Sequence, residues 1–202
     1  GDPAVMLASV GLDAAGIDTS LVKDVDGKFT ASFFCNTDEA NNQIASFYTG
    51  AMSNAGELSF RTVEDCGLAI ISPNDPGAMV QYAEECRALG IPYIWDPGQQ
   101  CARMSGDELK DGLTGAAIVI SNDYEFELIR QKTGMQEADV LAEAAVLVIT
   151  RGEHGSTVIT RDGWPPQRAV AGFDLPHTTD IKGLWNVGDA VKEYANGGTT
   201  AC

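Results

Sequence analysis

The chain has few cationic residues and few histidines, and its cysteines include no C-x-x-C pair. It contains 13 Lys and Arg against 29 Asp and Glu, so its formal net charge is −16 at pH 7. A surface of that sign repels the phosphates of nucleic acids and of anionic membranes, and we expect neither as a partner. Two histidines and five cysteines without a C-x-x-C pair fit neither a zinc site nor a disulfide framework. The expected location is therefore the reducing cytoplasm.

Long hydrophobic runs are also missing. The longest, residues 144–149, is far shorter than the roughly 20 residues that span a bilayer. The first residues, GDPAVMLASVG, show no basic start followed by an apolar block, so neither a secretory signal nor a membrane segment is expected. A content of 44% hydrophobic and 21% charged residues instead predicts a folded globular protein.

Short apolar runs alternate with longer segments of helical period between residues 67 and 160. The runs are GLAII, IPYIW, AAIVI and AVLVI, which begin at residues 67, 91, 116 and 145. Continuous apolar runs are typical of strands that are buried on both faces. The alternation therefore predicts an α/β fold with a parallel sheet covered by helices on both sides.

Capping residues indicate where the intervening helices begin and end. Asn74 is expected to cap a helix that ends at Gly90, with an apolar stripe that includes Met79 and Cys86. Ser105 is expected to cap the next helix. Two more helices are predicted over residues 122–133 and 136–144, and Gly134 ends the first of them.

Residues 28–50 differ from the rest of the chain. Two β-prone runs lie on either side of a polar segment rich in Asn, Asp and Glu. Such a pattern predicts a β-hairpin, which we expect to project from the α/β body.

The segment NDYE at residues 122–125 follows the third apolar run. In an open parallel sheet, ligands bind beyond the carboxyl ends of the strands. The Asn122 amide and the Glu125 carboxylate lie three residues apart on an opening helical turn, which suits a hydrated Mg²⁺ beside a substrate phosphate. The same two side chains can equally cap the helix, and on this segment alone the cap is the favoured interpretation.

The segment TRGEHGS at residues 150–156 follows the fourth run. Gly152 and Gly155 lie three residues apart, so the backbone amides beside Thr150 can approach a phosphate or a nucleotide. The alternative is a plain strand-turn-strand connection with glycines in left-handed conformations. The spacing matches neither the Walker loop nor the dinucleotide fingerprint.

Gly188 and Asp189 stand at a possible helix start. Backbone amides there would stabilise an anion, and the aspartate could accept a hydroxyl proton; a plain N-terminal aspartate is the simpler interpretation. His154 and His177 are isolated and are interpreted as surface residues.

Taken in order, these segments resemble the PfkB (ribokinase-like) carbohydrate and nucleoside kinases, and within them the bacterial adenosine-kinase-like branch. The similarity covers most of residues 16–163 and is carried by GIDTSLV, NQIASFYTGAM, ISPNDPGAMVQYAEECRALGIPYIWDPGQQ, VISNDYEFELIRQKTG and VLVITRGEHGSTVITRDG. NDYE corresponds to the N-x-x-E motif of the family, and TRGEHGS to its strand-turn motif at the nucleotide site.

The resemblance implies a kinase that transfers the γ-phosphoryl group of ATP, with Mg²⁺, to a hydroxyl of adenosine or of a related nucleoside or sugar. The implied fold is a three-layer α/β sandwich with a mostly parallel sheet and a small β-hairpin lid. Asn122 and Glu125 would organise the metal and the phosphates. Thr150, Gly152 and Gly155 would line the ATP site. Asp189 would be the catalytic base, and Gly188 would supply an amide to the anion hole.

The resemblance also implies a domain division and departures from the family. Residues 1–163 would form the kinase domain with residues 28–50 as its lid, and residues 164–202 a degraded end. Typical members begin with a strand and a Gly-Gly segment, and their C-terminal motif is represented here only by WNVGDAV. The chain is thus expected to be incomplete at both ends, and a catalytically inactive nucleotide-binding remnant is the alternative function. A homodimer through the lid is a further expectation.

Overall fold

The computed structural model describes residues 11–38, 43–161 and 168–170. The contacts within the chain divide the protein into two compact units, Gly1–Leu58 and Ser59–Cys202. We call them the N-terminal and the C-terminal unit.

The N-terminal unit contains the predicted hairpin. Strands β1 (Ser32–Thr37) and β2 (Gln43–Tyr48) pair in antiparallel fashion, with Ser32 opposite Tyr48 and Thr37 opposite Gln43. A 3₁₀ helix, Gly50–Glu57, follows. The prediction of a hairpin within residues 28–50 is confirmed.

The C-terminal unit is built around a sheet of six strands in the order β3-β4-β5-β6-β7-β8. Strands β3 to β6 are parallel, whereas β7 and β8 extend the sheet in antiparallel fashion. The mostly parallel sheet is therefore confirmed. The strands are β3 (Ala69–Ile71), β4 (Tyr93–Trp95), β5 (Ile118–Asn122), β6 (Val146–Thr150), β7 (Ser156–Thr160) and β8 (Arg168–Val170).

Helices fill the connections between the parallel strands. They are α1 (Pro76–Leu89), α2 (Gly106–Leu113), α3 (Asp123–Thr133) and α4 (Glu137–Glu143), with short 3₁₀ helices at Phe60–Thr62, Gly98–Ala102 and Gly152–His154. Three of the predicted boundaries are confirmed, since Ser105 caps α2 and left-handed glycines, Gly90 and Gly134, end α1 and α3. No helix in the described residues is both long enough and apolar enough to cross a membrane.

The predicted cap of α1 was wrong by one residue. Asp75, not Asn74, is the N-cap, and its Oδ1 accepts a hydrogen bond from the backbone N–H of Ala78 at 3.2 Å. Pro76 explains the difference, because proline lacks an N–H and suits the first helical position. The cap must then be the residue directly before it.

Helices α1 to α4 all pack on one face of the sheet. The core combines one face of the strands, including Trp95, Val119 and Leu147, with apolar residues of all four helices. Right-handed crossovers that step through neighbouring strands in one direction place every helix on the same side. The prediction of a ribokinase-like α/β fold is confirmed. Helices were expected on both faces of the sheet, whereas α1 to α4 of the described residues pack on one face.

Candidate functional site

The carboxyl ends of β5 and β6 bring two predicted site residues together. Asn122 is the last residue of β5 and Thr150 the last residue of β6, and the two are directly paired across the strands. Paired residues of neighbouring strands project to the same face of a sheet. The structure thus places the start of the NDYE segment beside the start of the TRGEHGS segment.

Asn122 and Glu125 form a reciprocal capping box at the start of α3. Asn122 Oδ1 accepts a hydrogen bond from the Glu125 backbone N–H at 2.7 Å, and Glu125 Oε2 accepts one from the Asn122 N–H at 2.9 Å. The capping interpretation of NDYE is therefore confirmed. The box holds both oxygen-bearing side chains in one orientation at the edge of the sheet, where they are half-buried.

Within the part of the chain that the structure describes, three buried polar atoms near this edge have no hydrogen-bond partner. They are the Thr150 Oγ1, the Ser121 Oγ and the Gln100 Oε1, on residues that are only 2–3% exposed. A buried polar atom without a partner costs about 1–3 kcal/mol. Such atoms call for an explanation, and a bound group that supplies the missing hydrogen bond is one. Ser121 and Gln100 were not predicted as site residues.

The carboxylates of Glu125 and Asp96 lie near the thiol of Cys101. Burial raises its pKa to about 12, and the nearby negative charges of Glu125 and then of Asp96 contribute in the same direction. Asp96 directly follows β4, so it lies at the same carboxyl edge of the sheet as Asn122 and Thr150, which end β5 and β6. Its place after a strand was the available sequence signal, but Asp96 was not assigned to the site.

The turn between β6 and β7 requires glycine. Gly152 and Gly155 have φ angles of 54° and 80°, in the left-handed region that side chains disfavour. The Gly155 N–H donates to the Gly152 carbonyl at 3.0 Å, and the Arg151 N–H donates to the Gly155 carbonyl at 2.7 Å. The strand-turn-strand interpretation of TRGEHGS is confirmed. No atom of the described residues lies within 4 Å of the position that a Gly152 Cβ would occupy.

The remaining predicted residues do not enter this geometry. Gly188, Asp189 and His177 lie outside the described residues. His154 is exposed, as predicted for a surface histidine. Within residues 11–38, 43–161 and 168–170, no group of three or more His, Cys, Asp or Glu is arranged to hold a metal ion.

Comparison with known proteins shows the family of the chain. The profile described as pfkB family carbohydrate kinase matches residues 7–170. The chain belongs to the PfkB family. The resemblance inferred from the motifs is thereby confirmed, and both NDYE and TRGEHGS lie inside the matched region.

Nucleoside kinases are among the proteins that this PfkB-family chain is similar to. The chain is 28% identical over 155 residues to the nucleoside kinase of Methanothermobacter thermautotrophicus. The aligned region covers 75% of this chain and 50% of the relative. The chain spans about half the length of the curated nucleoside kinases it matches.

Solved structures of nucleoside kinases share the fold. The Burkholderia thailandensis nucleoside kinase in complex with inosine has a TM-score of 0.74 and 36% identity, over 78% of this chain and 52% of that one. The Methanocaldococcus jannaschii nucleoside kinase, an archaeal member of the ribokinase family, has a TM-score of 0.70 and 26% identity, over 77% of this chain and 51% of that one.

Proposed function

We propose that this chain is a kinase that transfers the γ-phosphoryl group of ATP, with Mg²⁺, to a hydroxyl of adenosine or of a related nucleoside. The observation that carries the proposal is the pairing of Asn122 with Thr150 at the carboxyl edge of the sheet, where the buried Thr150 Oγ1 has no hydrogen-bond partner among the described residues. A nucleoside acceptor is supported by the relative from Burkholderia thailandensis, whose structures hold inosine and ADP-inosine. A sugar such as ribose or fructose is the alternative acceptor.

The turn after β6 suits the phosphates of ATP. The Thr150 hydroxyl can donate to a phosphate oxygen and so satisfy its missing hydrogen bond. Gly152, with open space around it, lets the backbone come close to the nucleotide without a side-chain clash, and Gly155 closes the same turn. Phosphoryl transfer depends on positioning and charge neutralisation, and the backbone hydrogen bonds of this turn support the positioning.

The residues of the NDYE turn fit a hydrated Mg²⁺. Their amide and carboxylate oxygens are hard ligands, and Asp96 adds negative charge nearby. The described residues contain no group of three or more His, Cys, Asp or Glu arranged to hold the ion, and Mg²⁺ usually keeps several of its waters. Asn122 and Glu125 would therefore hold Mg²⁺ through water beside the ATP phosphates, where the ion neutralises their charge.

The remaining assignments follow from the family resemblance. Asp189 would accept the proton of the acceptor hydroxyl, and Gly188 would supply an amide to the anion hole. Residues 1–163 would form the cytoplasmic kinase domain, with residues 28–50 as its lid and residues 164–202 as its altered end.

The hairpin supports a dimer through the lid. Phe33, Phe34 and Ile44 are 64%, 65% and 77% exposed on a sheet that has two strands within the described residues. Apolar edge strands left uncovered favour pairing with another chain.

The test is ADP formation from Mg-ATP with and without adenosine, inosine, ribose and fructose. We expect turnover that depends on a nucleoside and is lost in Asp189→Asn. ATP binding without any acceptor-dependent turnover would instead indicate an inactive nucleotide-binding remnant. Absence of both turnover and ATP binding would contradict the proposal.

A second variant separates capping from ligand binding at Asn122. Aspartate caps helices as well as asparagine, so Asn122→Asp keeps α3 intact while it adds a charge that repels the phosphates. We expect an unchanged melting temperature and a loss of turnover of about 10- to 100-fold. Gln131→Glu, at the exposed far end of α3, makes the same amide-to-carboxylate change and should leave turnover unaffected. Unchanged turnover in Asn122→Asp would mean that turnover does not depend on the neutral amide of Asn122.

A further inference from the structure

Lys132 makes an unusual set of hydrogen bonds near the end of α3. Its Nζ donates to the backbone carbonyls of Cys101, Ala102 and Met104 at 2.7, 2.8 and 2.7 Å. An ammonium group has three hydrogens to donate, and all three are used here on one short stretch of backbone. These carbonyls lie at the end of the 3₁₀ helix Gly98–Ala102, where a positive charge is stabilising.

The stretch that Lys132 holds belongs to the connection between β4 and α2. This connection, residues 96–104, begins with Asp96 and carries Gln100 and Cys101, which are 3% and 0% exposed. The Glu125 carboxylate lies close enough to Cys101 to raise its pKa. The negative charge of Glu125, in the first turn of α3, is thus near Cys101, and Lys132, near the end of α3, donates hydrogen bonds to the last residues of the connection.

A close backbone approach fixes the base of the Lys132 side chain. A Cβ on Gly106, the first residue of α2, would lie 2.2 Å from the Lys132 carbonyl oxygen. The two backbones can be this close because residue 106 has no side chain. The Lys132 backbone is thus held against the start of α2, within reach of the three carbonyls.

We propose that Lys132 is a positioning residue, whose ammonium holds residues 96–104 against α3 so that Asp96 and Gln100 are placed for the nucleotide and its metal. It acts through three backbone carbonyls and does not itself touch the substrate. The inference rests on the proposed kinase function for its catalytic consequence. Its structural consequence, an ordered connection, can be measured without any turnover.

The first measurement is the rate at which N-ethylmaleimide modifies each cysteine of the folded protein, located by peptide mass spectrometry. Lys132→Met keeps the apolar stem and removes the three donors, so we expect Cys101 to be modified about tenfold faster. Cys86, which is also fully buried, should stay protected, because only the connection opens. Lys132→Arg retains donors and charge and should restore much of the protection.

The matched control is Lys110→Met. Lys110 is exposed on α2, and the change removes the same charge from the same part of the molecule. It should leave the Cys101 modification rate unchanged. Equal Cys101 rates in wild type and Lys132→Met would overturn the inference, as would parallel exposure of Cys86, which reports general unfolding.

The second measurement is the kinetic effect on the same variants. Lys132→Met should raise the Mg-ATP concentration needed for half-maximal turnover about tenfold, with a smaller change in kcat, whereas Lys110→Met should match wild type. Faster Cys101 modification with unchanged kinetics would overturn the positioning role. A wild-type chain without turnover would contradict the proposed function, while the modification rates still decide whether Lys132 holds the connection.

Discussion

Gly112 of α2 lies directly against the indole ring of Trp95. A Cβ on Gly112 would be 2.1 Å from Trp95 Cζ2 and 2.2 Å from Cη2, and the Trp95 side chain is fully buried in the core. Neither a rigid ring nor its packed surroundings can move far. The contact sets how closely α2 approaches the sheet.

Gly112→Ala should therefore destabilise the protein although alanine favours helices. We expect a loss of about 1–3 kcal/mol in the free energy of unfolding, from overpacking against the ring. Urea unfolding measures it. Gly77→Ala in α1 is the matched control, because its Cβ would meet only Asp75 Oδ1, at an ordinary 3.4 Å. Equal stability of the two variants would mean that α2 is not seated on Trp95.

Gly152→Ala should separate backbone strain from ligand binding. Gly152 and Gly134 have φ angles of 54° and 75° with open space around both, so alanine at either position should cost about 1–2 kcal/mol of stability. Gly152 lies in the proposed nucleotide turn, whereas Gly134 ends α3. Calorimetry should show weaker ATP binding only for Gly152→Ala. Equal ATP affinities in the two variants would remove Gly152 from the nucleotide site.

The capping box of α2 should make stability depend on pH. The Ser105 backbone N–H, which donates to Glu108 Oε2 at 2.7 Å, and then the Ser105 hydroxyl hold the pKa of Glu108 below its ordinary value of 4.5. The unfolded chain then binds a proton more readily than the folded one. The stabilisation is present above pH 4.5 and is lost as the pH falls through the lowered pKa of Glu108.

Glu108→Gln tests this dependence. A neutral glutamine can still complete the capping box but does not titrate, so the variant should lose less stability than wild type between pH 7 and lower pH. Urea unfolding at several pH values measures the difference. Glu84→Gln, an exposed change in the middle of α1, should retain the wild-type profile. Identical profiles for Glu108→Gln and wild type would exclude the Glu108 contribution.

Most local features of the C-terminal unit could be predicted from the sequence. Apolar runs gave the strands β3 to β6, and capping residues such as Ser105, Asn122 and Gly134 gave helix ends. The one misplaced cap, Asn74 for Asp75, arose where two good capping residues are adjacent. Pro76 takes the first helical position, so Asp75, the residue before it, is the cap.

The convergence of side chains could not be predicted in the same way. The NDYE and TRGEHGS segments were candidates separately, but only the pairing of β5 with β6 sets Asn122 beside Thr150. Ser121 and Gln100 lie near the ends of strands, but the sequence could not show that their oxygens are buried without a partner among the described residues, because burial depends on elements distant in the chain. The contacts of Lys132 with residues about 30 positions earlier are of the same kind.

The sequence by itself determined the alternation of strands and helices, their caps and the family motifs. These features depend on residues within one or two helical turns of each other, where hydrophobic period and backbone hydrogen bonding decide the outcome. The tertiary structure alone decided the strand order, the single face that carries α1 to α4, and the grouping of Asp96, Glu125 and Cys101. Those depend on how the crossovers pack to bury apolar surface, which local patterns do not encode.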